Sequence, residues 1–337
     1  MSNNDASTAA NLSTEGSGER QLVLVTGTGR SGTSTITGTF QELGLHVPGT
    51  VRQAQEANPR GFFEPHWVVD LHTRMLDRAR AHTMDGDPRT AARAKRSVNA
   101  STLDELTQAL SSAVAENPRL VIKDPRTVWF IPMWTRIAES LGMDVSFATM
   151  LRHPAEAIAS RTVHWSSSEN AERVRSRQIA NLAGWVNVSL MNEDRTRGKT
   201  RAFIRYDDLL ADWRSTIDLV GKRLDLSYEG APIDQRPHPI DEFIDPDLKR
   251  VTTGWDDVAS TPQLRDLAER VWDALQFLAE PRSDADKAGA LLDDLRVEYD
   301  ALYSDARGIV LDASRAAIET AVRKERAAKR KSEPADQ

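Results

Sequence analysis

A loop rich in glycine and hydroxyl side chains follows the first apolar run of the chain. The run at residues 22–25, LVLV, leads directly into residues 27–35, GTGRSGTST, where an amphipathic stretch begins. Glycines let a backbone turn tightly and point successive N–H groups at an anion, and a following helix adds a favourable dipole. The pattern therefore predicts a phosphate or sulfate site; a turn that only caps a helix is the alternative. The candidate hydroxyl donors are Ser31, Thr33, Ser34 and Thr35.

The cation of this loop does not stand where a nucleoside-triphosphate loop has its lysine. Gly27 and Gly32 have the spacing of such a loop, whose lysine follows the second glycine and reaches the β- and γ-phosphates. Thr33 occupies that position, and the cation is Arg30, before the second glycine. This arrangement argues against hydrolysis of ATP or GTP.

A second candidate anion site follows a later apolar run. Residues 151–161 read LRHPAEAIASR, in which Pro154 can start a helix and Ser160 lies under two turns along it. Arg152 can offer a planar fork to a phosphate, and Ser160 can offer a hydroxyl. Taken alone, this segment also fits an arginine at a strand end and a serine on a helix surface. Together with the first loop, it predicts two separate phosphate sites, which a 3′,5′-bisphosphate requires.

The two segments together resemble the sulfotransferase family, whose donor is 3′-phosphoadenosine 5′-phosphosulfate (PAPS). The family's first loop is a Lys or Arg followed by Ser-Gly-Thr, and its 3′-phosphate pattern is Arg, an x-Pro helix start and Ser eight residues after the Arg. The resemblance covers roughly residues 21–255 and implies that Arg30 stabilises charge on the leaving oxygen. The donor-binding residues that it implies are Gly29, Arg30, Ser31, Gly32, Thr33, Ser34, Thr35, Arg152 and Ser160. Tyr206, in a segment similar to the family's Tyr-Glu-Asp-Leu, is a further candidate near the adenine, and an ordinary strand-end tyrosine is the alternative.

Two segments compete to supply the group that removes the proton of the acceptor hydroxyl. Residues 58–64, NPRGFFE, resemble a stretch of bacterial and carbohydrate sulfotransferases and make Glu64 a candidate base; burial beside aromatic side chains would raise the pKa of this carboxyl. Its alternative is an acid at a helix start. Residues 120–126, LVIKDPR, place Lys123 where it could contact the sulfuryl group or the acceptor, and Arg126 where it could bind an anionic acceptor. No histidine stands at the position of the family's catalytic histidine, and His66, His72 and His164 are read as capping or surface residues.

Apolar runs alternate with amphipathic stretches over most of the chain. Alternation of this kind predicts an α/β fold with a parallel sheet flanked by helices on both faces, which the resemblance makes a P-loop-NTPase-like sulfotransferase fold. The predicted strands lie near residues 22–25, 120–122, 145–151 and 202–204. The predicted helices lie near residues 66–80, 102–114, 132–141, 155–165, 170–194, 208–224, 262–278, 291–302 and 309–330. The expected organisation is a disordered tail over 1–19, a sulfotransferase domain over 20–258 and a helical extension over 259–337.

The amino-acid composition argues against several classes of binding partner. The chain has a net charge of −6 and no cysteine, which argues against nucleic-acid binding and excludes disulfides and thiolate chemistry. No spacing typical of metal ligands occurs, so no metal is predicted, and the absence of an apolar span or leader makes the cytoplasm the expected location. The basic run 323–331 could touch an anionic surface, although a solvated helix end is the simpler interpretation.

The predicted activity is thus transfer of a sulfuryl group from PAPS to a hydroxyl of a carbohydrate, lipid, glycolipid or other small molecule. A metal-dependent P-loop phosphotransferase or NTPase is the alternative enzyme, and a nucleotide sensor without a base is the alternative non-enzyme. Aromatic side chains near the motifs suit sugars, lipids or aromatic acceptors alike, and they are Phe62, Phe63, Trp67, Trp129, Trp165 and Trp185.

Overall fold

The architecture comes from a computed structural model, which describes residues 20–52, 61–162, 170–229, 231–244 and 253–332. The predicted tail over residues 1–19 lies outside these ranges, as do Asn58 of the acceptor motif, His164 and Trp165.

Four parallel strands form the sheet. They are β1 (Gln21–Gly27), β2 (Arg119–Lys123), β3 (Asp144–Leu151) and β4 (Arg201–Arg205), in the order β2-β1-β3-β4. Because every pair is parallel, the ends of β1, β2 and β3 that carry the loop, Lys123 and Arg152 meet at one edge of the sheet. The predicted strands and their parallel sheet are confirmed.

Helices connect and follow these strands. The first six are α1 (Thr33–Glu42), α2 (His66–Ala79), α3 (Thr90–Ser97), α4 (Ala100–Glu116), α5 (Ile131–Ser140) and α6 (Pro154–Thr162). The next six are α7 (Ala171–Thr196), α8 (Tyr206–Ala211), α9 (Trp213–Leu224), α10 (Pro239–Phe243), α11 (Pro262–Ala279) and α12 (Ala285–Ser332). Short 3-10 helices span Pro125–Phe130 and Trp255–Asp257.

The sheet is covered on both faces, as the alternation of strands and helices predicts. Side chains on one strand point alternately to opposite faces. Leu22 and Leu24 of β1 lie in a large apolar cluster with residues of α2, α4, α5, α7 and α11. Val23 and Val25 lie in a second cluster with residues of α1, α9 and α10. Burial on both faces explains why β1 reads as a continuous apolar run.

The helices after the sheet differ from expectation in three places, the first of which is α10, where no helix was predicted. The predicted helix over residues 208–224 is two helices, because Asp212 leaves helical geometry and its carboxylate caps α9 by accepting from the Ser215 N–H. The two helices predicted over 291–302 and 309–330 are one, α12, which runs 48 residues. Gly308 lies within α12, and no proline or cap interrupts the segment between the two predicted helices.

The two C-terminal helices, α11 and α12, pack against the part of the protein that contains the sheet. Leu267, Val271 and Leu275 of α11 belong to the same apolar cluster as β1 and α7. Tyr299 of α12 is buried, and its hydroxyl oxygen lies 2.6 and 2.9 Å from the carbonyl oxygens of Gly86 and Ala183, which share its one proton. The N-terminal part of α12 is thereby fixed to the body of the protein.

Candidate active site

The loop after β1 takes a shape that a sequence without glycines could not adopt easily. Arg30 and Gly32 have positive φ values of 74° and 85°, so the backbone turns sharply between β1 and α1. Gly32 is the residue before α1, and no side chain caps the first N–H groups of this helix. A helix N-terminus without a side-chain cap leaves N–H groups that can bind an anion.

Hydroxyl side chains brace this loop from within. The Thr28 and Ser31 hydroxyls are buried and lie 2.7 Å apart. Thr33 is buried at the start of α1, and its carbonyl accepts from Thr37, 2.7 Å away. Ser31 and Thr33 therefore lie on the inner side of the loop, while half-buried Ser34 and Thr35 lie nearer its open side.

The two predicted phosphate segments meet in one place. The Arg30 Nε donates to the Ser160 Oγ at 3.0 Å, across 130 residues of sequence. The Arg152 Nη1 donates to the Arg30 carbonyl at 3.2 Å, and the Arg152 Nε pairs with the Glu156 carboxylate at 3.0 Å. Arg30, Arg152 and Ser160 thus form one connected cluster at the carboxyl edge of the sheet.

Tyr206 closes this cluster on a third side. It begins α8 directly after β4, and the Arg152 guanidinium lies 5.3 Å from the centre of its ring. A Cβ at Gly32 would overlap this ring, so only glycine permits the close approach of loop and tyrosine. The Tyr206 ring therefore lies directly on the loop at residues 27–35, the candidate anion loop.

Arg161 is a cation of this site that the sequence analysis did not single out. It follows Ser160 in the last turn of α6, and Gly29 of the loop packs against its guanidinium. Burial and then the nearby charge of Arg30 lower the pKa of Arg161. Its place immediately after Ser160 in the second motif was the only signal that sequence offered.

Glu64 and Lys123, which the sequence presented as alternative candidates, form an ion pair with each other. The Lys123 Nζ lies 2.6 Å from the Glu64 Oε1, and both side chains are almost fully buried. Lys123 also donates to the Phe62 carbonyl at 3.1 Å and to the Ser34 Oγ at 3.4 Å. Arg52 pairs with the other Glu64 oxygen at 3.4 Å. This pair therefore adjoins the first turn of α1, beside the anion loop.

A buried polar brace adjoins Lys123, and it includes His72, which is fully buried and not the capping or surface residue that the sequence predicted. The His72 Nδ1 lies 3.0 Å from the Asp124 Oδ2, and the indole N–H of Trp134 donates to the His72 Nε2 at 2.8 Å. His72 therefore donates from Nδ1, since its other nitrogen accepts. The second Asp124 oxygen accepts from the backbone N–H and the guanidinium of Arg126. Burial alone would raise the pKa of Asp124, but the hydrogen bond from His72 and the charge of Arg126 outweigh burial and lower it.

The remaining sequence candidates lie in varied surroundings. Trp129 and Trp185 are core residues, whereas Phe62, Phe63 and Trp67 are half-buried near Glu64. His66 is exposed at the start of α2. In the part of the chain that the structure describes, no group of three or more His, Asp or Glu side chains could hold a metal ion. No helix there is both long enough and apolar enough to span a membrane.

The fold is α/β, and the glycine-rich loop after β1 lies at the carboxyl edge of a parallel sheet. No family model matches the chain, and no curated protein matches its sequence. Its fold is similar to a sulfotransferase domain from the Synechococcus PCC 7002 olefin synthase, with a TM-score of 0.41 and 15% identity over 77% of this chain and 95% of that one. It is also similar to a sulfotransferase domain from the curacin biosynthetic pathway, with a TM-score of 0.36 and 15% identity over 82% and 98%. Likeness at this level assigns neither a family nor an activity.

Proposed function

We propose that the protein is a sulfotransferase that moves the sulfuryl group of PAPS to an acceptor hydroxyl. The observation that carries the proposal is the hydrogen bond between Arg30 and Ser160. It joins an anion loop after β1 to a second anion-binding segment after β3, so that one ligand can engage both. A nucleoside triphosphate has its phosphates in a single chain, whereas a 3′,5′-bisphosphate presents two separate anionic groups.

The residues present fit such a ligand. The N-terminus of α1 lacks a side-chain cap, and three arginines, Arg30, Arg152 and Arg161, line the two segments. Fixed guanidiniums and backbone N–H groups are the donors that proteins use for phosphate and sulfate. Thr33 in place of a lysine removes the group that would reach the γ-phosphate of ATP, which disfavours the NTPase alternative.

The bound donor would supply an activated sulfuryl group on a phosphate leaving group. Arg30 would stabilise the negative charge that develops on the leaving oxygen, because its backbone is fixed in the loop and its Nε is held by Ser160. Fixed charge at such a point is commonly worth about 10²–10³ in rate.

Glu64 and Lys123 would act together on the acceptor side. Glu64 is our candidate for the base that accepts the acceptor's proton, and Lys123 holds its Oε1 at 2.6 Å. Lys123 also contacts Ser34 of α1, so the same ammonium links the carboxylate to the loop. The half-buried aromatic side chains Phe62, Phe63 and Trp67 lie on this side, and they favour an acceptor with an apolar or sugar-ring surface.

The test is transfer of ³⁵S label from PAPS to acceptors in a fractionated cell extract. We expect labelled product with the wild-type protein and transfer that is slower by about 10²-fold or more with Arg30→Ala, while an exposed-site variant, Arg136→Gln, retains transfer. Transfer of label from γ-³²P-ATP in the same fractions, with none from PAPS, would contradict the proposal and favour the phosphotransferase.

A further inference from the structure

Arg161 carries a polar atom that the fold leaves without a partner. Its Nη1 is buried and makes no hydrogen bond within the described part of the chain. A buried donor without an acceptor is costly, and more so when it belongs to a charged group. Among the buried side-chain nitrogen and oxygen atoms of the two anion segments that the structure describes, it is the one without a hydrogen-bond partner.

The surroundings of Arg161 add to that cost. A Cβ on Gly29 would lie 3.4 Å from the Arg161 Nη1, so the guanidinium rests against the backbone of the anion loop. Arg30, one residue further along the loop, carries the same charge and, after burial, is the second cause of the lowered pKa of Arg161. The protein therefore holds two like charges together, and no carboxylate among the described residues offsets the effect of Arg30 on Arg161.

Arg152 is the cation that sequence analysis assigned to the second phosphate. Unlike Arg161, it already has an anionic partner within the described part of the protein. Its Nε is paired with Glu156 at 3.0 Å, and its Nη1 donates to the Arg30 carbonyl. Its charge is thus partly neutralised by a neighbour on the following helix. Attraction for a further anion falls when a cation already has a carboxylate partner, so Arg152 offers less to a ligand than its type suggests.

We propose that Arg161 is a further donor-binding residue, and that it supplies the main charge for the 3′-phosphoryl group of the bisphosphate. This inference rests on the proposed function and assigns the specificity of the same site. Arg161 adjoins Ser160, which the second motif already assigns to this group, and its Nη1 has an unused donor. Arg152 then acts mainly as a positioning residue, which holds the loop through the Arg30 carbonyl and the Tyr206 ring.

The experiment compares 3′,5′-bisphosphoadenosine, 5′-AMP and inorganic phosphate by calorimetric titration. The proteins are wild type, Arg161→Gln, Arg161→Lys and the exposed control Arg136→Gln. We expect Arg161→Gln to bind the bisphosphate about 10- to 100-fold more weakly, the range for a hydrogen bond between charged groups, and 5′-AMP almost unchanged. Arg161→Lys should lose less, because it keeps the charge without the fork. Arg136→Gln should match wild type.

A second readout does not involve nucleotide. Arg161→Gln removes a buried, unneutralised charge, so the unliganded variant should unfold at the same temperature as wild type or higher. Equal losses for bisphosphate and 5′-AMP together with a lower unfolding temperature would overturn the inference and make Arg161 a structural residue. Unchanged bisphosphate affinity would also overturn it, as would wild-type affinity for inorganic phosphate equal to that for the bisphosphate. If wild type binds none of the nucleotides, the proposed function itself fails.

Discussion

At the scale of single residues, Arg30 combines a strained backbone with a proposed role in catalysis. A non-glycine residue in the left-handed region costs roughly 1–2 kcal/mol relative to its usual conformation, and Arg30 has a φ of 74°. Such strain persists when surrounding structure enforces it, which here includes the hydrogen bonds to Ser160 and from Arg152. Glycine or asparagine would adopt this φ at lower cost, and the proposed role of the guanidinium gives a reason for arginine at this position.

Substitutions of Arg30 should show how much its side-chain charge contributes to kcat. Arg30→Ala should lower kcat about 10²-fold or more while donor affinity falls less, because the interaction strengthens in the transition state. Arg30→Lys should keep much of the activity. Steady-state kinetics with the acceptor found by label transfer would measure both, and an intact kcat with a raised donor KM would contradict the catalytic role and leave Lys123 as the cation.

Arg30→Gly provides the matched control for stability. It removes the same side chain as Arg30→Ala but tolerates a positive φ, so it should unfold at higher urea concentration than Arg30→Ala.

The pairing of Glu64 with Lys123 makes a prediction about coupling. Each single change, Glu64→Gln or Lys123→Met, disturbs one partner of a buried ion pair, so the double variant should lose less than the two singles together. We expect a coupling free energy of about 1–3 kcal/mol from urea unfolding of the four proteins in the cycle. Additive losses would show that the two groups act independently.

At the scale of elements, the end of β2 is held by the His72–Asp124–Arg126 brace. Asp124 caps the 3-10 helix at Pro125–Phe130 and bonds α2 through His72, so the strand that carries Lys123 is tied to two neighbouring elements. Because the sheet fixes the backbone of β2 and the brace fixes the turn after Lys123, this lysine has little freedom to leave Glu64. The brace thus helps to hold Lys123 in place.

The lowered pKa of Asp124 predicts acid-dependent stability. Its folded pKa lies below its unfolded value of about 3.9, so the carboxylate stabilises the fold fully above that pH, and the contribution is lost as the pH falls toward the folded pKa. Asp124→Asn should lower the free energy of unfolding near neutral pH by about 1.5–3 kcal/mol. Below about pH 4 its unfolding should depend less on pH than that of wild type. Parallel slopes in urea titrations across this range would contradict the assignment.

Sequence predicted the strands and most helices because their patterns are local. The run at 22–25 is apolar on both sides of the strand, and the helix after Pro154 begins at a proline that suits its first turn. Helix α3 escaped prediction because its sequence, TAARAKRS, has little apolar content and packs only a few small side chains. The break at Asp212 depends on one cap, which competed with an unbroken periodic pattern.

The site was predictable as two motifs but not as one contact network. Arg30 and Ser160 are recognisable separately, whereas their hydrogen bond depends on how β1 and β3 pair. The Glu64–Lys123 pair joins residues that sequence presented as alternatives, because only folding brings Glu64, next to the Pro65 that pairs with Val51, onto the end of β2. The unpartnered atom of Arg161 is invisible in sequence, since it is defined by the side chains and backbone around it.

At the scale of the whole molecule, two apolar clusters lie on opposite faces of one sheet, and α11 joins the larger of them. The last part of α12 differs, because Ile309, Leu311 and Ile318 are more than half exposed. Leu295 and Tyr299, the buried side chains that anchor α12, lie toward its N-terminal end. The basic run 323–331 follows the exposed part, and its contact with an anionic surface stays a prediction.

Shortening α12 should therefore leave the stability of the body unchanged. A chain that ends at Arg307 should unfold at nearly the same urea concentration as wild type, since the removed side chains that the structure describes are exposed. Leu295→Ala, in contrast, opens a buried space and should cost about 2–5 kcal/mol. A large loss on truncation would show that the exposed segment packs against another part of the chain or a second copy.

The most direct test of the proposed donor is a calorimetric comparison of 3′,5′-bisphosphoadenosine with ATP, each with Mg²⁺ and with EDTA. Two joined anion segments and a loop without the triphosphate lysine predict at least about tenfold tighter binding of the bisphosphate, a difference of about 1.4 kcal/mol or more, with no dependence on Mg²⁺. Tighter binding of ATP, or binding of either nucleotide only with Mg²⁺, would contradict the assignment of a PAPS site.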